Sequence, residues 1–271
     1  MVEKLGWGQD RKRTLANAAI VSVVAAHQAP RIIADPILLD QIGTCFENAV
    51  RKNDRLAALS RQLDVRGLQY CVFGGWLRDT IDDLQSATAA GPPRDIDLVV
   101  RDVEVGDLLG MLPADVRPTM FGGVQSGTGS SAFDIWPLHE TFLIKHLRLE
   151  PTFENLLKSA DFTINAGLFF PPRRAAPSRF MDGGMLEALR TRTLDFNYPS
   201  LPFPVMQCAR LAAYAGKLSL GLSPAVQDFM RAIIRIPSQR ERVLLGLRQT
   251  YPPPVVEAAE RILNGLTEAP R

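Results

Sequence analysis

A glycine pair followed by arginine and aspartate, Gly74-Gly75-Trp76-Leu77-Arg78-Asp79, sits directly after the β-prone run Tyr70-Cys71-Val72-Phe73 and constrains this chain more than any other stretch. A strand that ends on two glycines and continues as a helix leaves bare backbone at the turn. Phosphate oxygens can approach there, and the helix N-terminus favours their negative charge. Arg78 falls one turn into that helix, within reach of phosphate. Downstream, Asp95-Ile96-Asp97-Leu98-Val99-Val100 reads as a further strand. Side chains alternate along a strand, so Asp95 and Asp97 share one face with Cα atoms ~6.5 Å apart, while Ile96, Leu98 and Val100 fill the other. Two carboxylates so placed can jointly hold hard divalent cations, and small, oxygen-seeking Mg²⁺ is the natural ion. The pair suits two-metal phosphoryl transfer, with ions ~3.5–4 Å apart on the attacking and leaving oxygens. Asp134, a carboxylate in the apolar alternating run Ala132-Phe133-Asp134-Ile135-Trp136, is the candidate third acid.

The surrounding pattern gives an α/β middle between helical ends. Residues 36–63 carry Ile37, Leu38, Ile42, Phe46, Val50, Leu56, Leu59 and Leu63 at three- and four-residue steps, with Asp35 as N-cap before Pro36 and a break near Asn53-Asp54. Ahead of it, Leu15 to Ala26 follows Lys12-Arg13 like a short signal sequence. The polar lead with Glu3 and Asp10, and the poor cleavage sites, favour an amphipathic or buried helix instead. Short β-prone runs at 70–73, 96–100, 119–125, 132–136 and 166–170 alternate with turn-rich connectors at 85–94, 126–131 and 171–179. Three prolines within Tyr198 to Pro204 mark a boundary, and helices are expected at 205–215, 224–234, 239–247 and 254–266. The division expected is an N-terminal helical extension at 1–66, an α/β head at 67–198 and a helical neck-like domain at 199–271.

Composition excludes a disordered or fibrous chain: 46% of the 271 residues are hydrophobic and 22% charged. Cys45, Cys71 and Cys208 are too scattered for a disulfide framework or a zinc knuckle, which points to reduced thiols and a cytoplasmic compartment with no membrane partner. Only 6 of the 31 basic residues are lysine. Arginine forks match phosphate geometry, although a GC-rich genome produces the same bias. Gly127 to Ala132 fits G-x-G-x-x-A but precedes a strand, so it reads as a hairpin loop. His27, His139 and His146 make no zinc motif. Arg231 and Arg235, at an i, i+4 step, are candidates for contact with RNA phosphates.

Gly74-Gly75-x-x-Arg78-Asp79 with Asp95-Ile96-Asp97 resembles the nucleotidyltransferase head shared by class II CCA-adding enzymes and bacterial poly(A) polymerases. Three further pieces follow in that family's order: Phe121-Gly122-Gly123-Val124 with Asp134, Asp161-Phe162-Thr163-Ile164-Asn165-Ala166, and Asp182-Gly183-Gly184-Met185-Leu186-Glu187-Ala188-Leu189. The likeness spans about Leu68 to Leu220. It implies an α+β fold, a β-polymerase-type palm with an N-terminal helical extension and a short helical neck. It also implies metal ligation by Asp95 and Asp97, triphosphate contacts from Gly74, Gly75 and Arg78 beside Asp79, and Asp161 and Asn165 near the sugar of the incoming nucleotide. The implied reaction is attack of a 3′-hydroxyl on the α-phosphate of a nucleoside triphosphate, with pyrophosphate leaving.

The departures are equally specific. Ser159-Ala160 stand where the family writes two arginines, and Ser200, Leu201 and Pro204 occupy the neck positions that read the incoming base, so the CCA template is absent. The sequence therefore favours transfer of NMP to a tRNA or small-RNA 3′ end other than ordinary CCA addition, whether in RNA maintenance or as a toxin, with a protein partner or a second copy supplying further grip. Transfer to a small molecule, as in antibiotic-modifying enzymes that share a Gly-Gly-Trp start, is the first alternative. An inactive head that binds RNA or protein is the second.

Overall fold

The computed structural model describes residues 20–26, 28–85, 95–113, 115–119, 122–127, 132–173 and 176–268. Most of the connector at 85–94, the tip of the 126–131 loop, Phe121, His27 and the start of the expected Leu15 to Ala26 helix lie outside them. The end of that stretch is a correction. Ile20–Ser22 form a strand, β1, paired antiparallel with residues 200–202. The β-branched run Ile20-Val21-Ser22-Val23-Val24 favours extended backbone once a partner edge is available, and the short apolar period is ambiguous between the two states.

The described residues fall into two compact units. The larger spans 28–160 and 164–187. In order it holds β2 (Arg31–Ile33), α1 (Pro36–Arg51), α2 (Asp54–Val65), β3 (Tyr70–Phe73), α3 (Gly75–Gln85), β4 (Ile96–Val100), α4 (Val105–Met111), β5 (Arg117–Pro118), β6 (Val124–Ser126), β7 (Phe133–Pro137), α5 (Phe142–His146), α6 (Phe153–Lys158), β8 (Gly167–Phe170) and β9 (Arg179–Asp182). Asp35 caps α1 by accepting from the N–H groups of Ile37 and Leu38 at 2.9 and 3.1 Å. The expected break falls where Asn53 accepts from the N–H of Leu56 and starts α2. Both helices, expected in a separate extension, lie in the same unit as the sheet.

That sheet has eight strands in the order β2-β9-β8-β3-β4-β7-β6-β5. Its neighbours are antiparallel except β4 and β7, which run parallel. β2 and β9 were not among the expected strands, and β6 is shorter than the 119–125 run suggested. Period 2 sorts the faces. Cys71, Val99, Leu168, Phe170 and Met181 pack under Leu138, Ile144, Phe153, Leu156 and Leu157. Elsewhere in the unit, Trp76 of α3 and Phe169 of β8 meet Phe46 of α1 edge-on, with ring centroids 6.0 and 6.5 Å away. Each such fully buried side chain contributes about 1.5–3 kcal/mol. Trp76 of the Gly-Gly-Trp start is thus a core residue.

Burial on β3 makes a measurable pH dependence. The Tyr70 hydroxyl lies 3.0 Å from Ser60 Oγ, and burial pushes its pKa up to about 12 from 10.0. Below pH 10 the phenol is neutral folded or unfolded; between pH 10 and 12 the unfolded chain ionises first, so this stabilisation is lost as pH rises. Tyr70→Phe is expected to flatten the alkaline fall of the melting temperature across that window, as read by thermal unfolding at stepped pH.

The smaller unit contains residues 20–26, 161–163 and the chain from 188. Helix α7 (Met185–Arg190) leads into β10 (Thr193–Leu194), β11 (Ser200–Pro202), α8 (Pro204–Leu218), β12 (Gly221–Leu222), α9 (Pro224–Ile234), α10 (Pro237–Thr250) and α11 (Pro253–Glu268). All four long helices open on proline, whose missing N–H costs nothing in the first turn. The Tyr198 to Pro204 boundary therefore holds both β11 and the start of α8. No helix among the described residues is long and apolar enough to cross a membrane.

Candidate active site

The sheet register brings the expected acids together in the larger unit. Asp97 of β4 is the direct partner of Asp134 of β7, and Asp134 is in turn the partner of Gln125 of β6. Partners in register share a face, so Asp97, Asp134 and Gln125 form a row across three strands. Phe73, opposite Asp97, extends the row on the other side. Its ring lies edge-on to Trp136, with centroids 6.1 Å apart. Asp95 immediately precedes β4 and adds its charge to the same group.

The crowding is visible in the acid strengths. Burial first, then the neighbouring charges of Asp134 and Asp95, hold Asp97 well above the usual carboxylate range, against a hydrogen bond from the Gly75 N–H. Burial also raises Asp134, with Asp95 adding to the rise and a hydrogen bond from Gln125 opposing it. Oδ1 of Asp134 is buried with no hydrogen-bond partner. An uncompensated buried acceptor is costly, and a cation would relieve it.

The glycine turn is shaped by the same acids. Gly74 has φ +77°, and a Cβ there would stand 2.7 Å from Asp97 Oδ2. Only glycine accepts both the backbone conformation and the approach. The N–H of Arg78 bonds to the Gly74 carbonyl at 3.1 Å as α3 begins.

These residues fit a divalent cation. All the donors are carboxylate oxygens, two of the acids are strand neighbours, and one oxygen is orphaned. Among the described residues, no group of three or more His, Cys, Asp or Glu side chains is arranged to hold a metal ion by itself. The fit is therefore to an ion taken by one or two carboxylates and otherwise by substrate and water oxygens, as Mg²⁺ prefers.

Arg78 is differently placed from an open phosphate contact. It is 3% exposed, with Nε and Nη2 at 2.8 and 2.7 Å from Asp79 Oδ1 and Nη1 at 2.9 Å from Asn165 Oδ1. It thus ties Asp79 and Asn165, both buried, to the start of α3. Asp161 belongs to the smaller unit. There it accepts from its neighbour's Phe162 N–H and from Arg210 of α8. Arg210 also donates to Gln207 at 3.0 Å and to the Tyr214 hydroxyl at 3.2 Å, and lies against the Phe162 and Tyr214 rings. Of the α9 arginines, Arg231 donates to Asp228 and Gln227, while Arg235 is exposed at the helix end. Sequence reasoning missed Gln125 and the role of Arg210. The first was invisible because only the strand order puts it beside Asp134. The second carried a signal, since a buried-face arginine in an apolar helix needs a carboxylate partner.

No family model and no curated protein sequence matches the chain. Solved structures do. A CCA-adding enzyme in complex with ATP superposes with a TM-score of 0.59 at 16% identity, over 88% of this chain and 55% of that one. The same kind of enzyme with CTP gives 0.59 at 15% identity, over 89% and 56%. A tRNA nucleotidyltransferase complexed with a primer tRNA and an incoming ATP analogue gives 0.53 at 19% identity, over 79% and 63%. The chain thus spans little more than half the length of these enzymes. Over most of its own length it has the nucleotidyltransferase fold of CCA-adding enzymes, with its acid row built into the sheet of that fold.

Proposed function

We propose that the chain is a Mg²⁺-dependent nucleotidyltransferase that moves a nucleoside monophosphate from an NTP to the 3′-hydroxyl of a tRNA or other small RNA. A bond forms between the 3′-oxygen and the α-phosphorus, the α–β phosphoanhydride bond breaks, and pyrophosphate leaves. The row Asp97-Asp134 beside the Gly74 turn, on this fold, is the observation that carries the reading. Asp95 and Asp97 would hold Mg²⁺, which when bound neutralises phosphate charge and favours the attacking alkoxide. Gly74 and Gly75 offer backbone to the triphosphate. Arg78 fixes Asn165 and Asp79 beside that turn, and within the smaller unit Arg210 fixes Asp161. Catalysis on this arrangement is mainly positioning and charge neutralisation.

The neck positions argue for a transfer other than ordinary CCA addition. Leu201 is fully buried, Pro204 opens α8, and Ser200 offers a short hydroxyl on a strand paired with β1, so these positions carry no carboxylate or guanidinium with which to read a base. RNA phosphates would be gripped by Arg231 and Arg235. The test is incubation with Mg²⁺, each labelled NTP in turn and a mixture of total tRNA and small RNA, beside an Asp95→Ala/Asp97→Ala control. Label in RNA with wild type alone is expected and names the nucleotide. Label in no RNA overturns the reading. Pyrophosphate release without RNA labelling would then point to a small-molecule acceptor.

A further inference from the structure

The row of acids does not end in an acid. Its third member is Gln125, opposite Asp134 across the antiparallel pair β6–β7 and on the same sheet face as both carboxylates. The Gln125 side chain hydrogen-bonds the Asp134 carboxylate. Oδ1 of Asp134 is buried with no hydrogen-bond partner. An aspartate on a strand facing an open side has freedom about two torsions; one held at a single oxygen by an amide from the next strand has its second oxygen aimed. Gln125 suits the task chemically. Its amide donates without adding charge to a group that already carries Asp95, Asp97 and Asp134, where a lysine would compete with a cation and a glutamate would repel the acids. β6 is short and pairs on both sides, with β5 and β7, which keeps its backbone in place.

We infer that Gln125 is a positioning residue: it holds Asp134 by one carboxylate oxygen so that the other remains directed at a divalent cation shared with Asp97. The inference rests on the reading of the acid row as a cation site, and it extends that site to a residue that touches neither cation nor substrate. Outer partners of metal-binding carboxylates typically change metal affinity by 10–100-fold when removed.

The test measures Mn²⁺ binding by electron paramagnetic resonance and calorimetry on the full chain, without turnover. It compares wild type with Gln125→Met, which keeps length and loses the donor, and Gln125→Thr, which is too short to reach. Asp134→Asn and the double variant Gln125→Met/Asp134→Asn complete a cycle. Thermal melting identifies which variants are folded, and either Gln125 variant suffices. Wild type is expected to bind Mn²⁺, the Gln125 variants about tenfold more weakly, and the double variant no more weakly than Asp134→Asn alone. The Mn²⁺ spectrum of the Gln125 variants should also differ from that of wild type, a change that a purely structural role would not produce. Wild-type affinity in folded Gln125 variants, additive losses in the cycle, or no Mn²⁺ binding by wild type would each overturn the inference. Weakened Mn²⁺ binding in a protein that labels no RNA would support Gln125 as a positioning residue while rejecting RNA transfer, so the two failures are separable.

Discussion

Asp97→Asn is expected to lower nucleotide transfer by about 10³-fold or more while leaving the protein folded. The magnitude follows from removing one charge at the centre of a site whose chemistry is electrostatic. Asparagine has nearly the same shape, so the close approach of Gly74 to Oδ2 is preserved and an oxygen remains to accept from the Gly75 N–H. What disappears is the charge that burial, Asp134 and Asp95 all oppose in the fold. Without divalent cations, Asp97→Asn should therefore melt no lower than wild type, and the loss of activity would be a loss of cation binding, not of structure. Single-turnover transfer at saturating NTP, set beside thermal melting in EDTA, checks both halves. An unchanged transfer rate would remove Asp97 from the machinery.

The second large effect concerns Arg78 and is read first in stability. Arg78→Met is expected to destabilise the larger unit by about 3–5 kcal/mol, the usual cost of removing one partner from a buried ion pair. Arg78 and Asp79 are each 3% exposed, and the guanidinium also carries the hydrogen bond to Asn165. Methionine fills the volume but leaves the Asp79 charge without its cation. Against a total stability of about 5–15 kcal/mol for an ordinary domain, this is a large fraction. Arg78→Met/Asp79→Leu should recover part of the loss, because an apolar pair no longer strands a charge. Urea denaturation of the two variants measures this. A loss under about 1 kcal/mol for Arg78→Met would mean that Asp79 is compensated by other partners.

The two acids of the row were legible in the sequence one by one, and the row itself was not. Period 2 places Asp97 on a face, and the isolated polar position in Phe133-Asp134-Ile135 does the same for Asp134. That β4 and β7 are adjacent and parallel, with β6 beyond them, depends on a strand order that local pattern does not encode. Gln125 stood at the end of a run read as a strand, with nothing in its neighbours to name Asp134 across the turn. Arg78 illustrates the opposite limit. Its place one turn into α3 was legible, but whether an arginine at such a position opens to phosphate or turns inward to Asp79 and Asn165 is decided by tertiary burial. The helix capped by Asp35 and opened by Pro36 was foreseen because those signals are local, and so was a break near Asn53-Asp54. β1 was not, because its partner lies about 180 positions away.

That pairing makes assembly a matter of timing. The ribosome releases Ile20, Val21 and Ser22 early, yet their partners Pro202, Leu201 and Ser200 emerge only after the sheet of the larger unit has been made. At about 5–20 residues per second, the first strand waits on the order of 10–40 s with its hydrogen-bonding edge open. During that interval the β-branched segment is open to mispairing, and the smaller unit cannot complete this pair until residues 200–202 have been made. The pairing of β1 with β11 is thus a closure over about 180 positions, a long-range contact of the kind that slows folding.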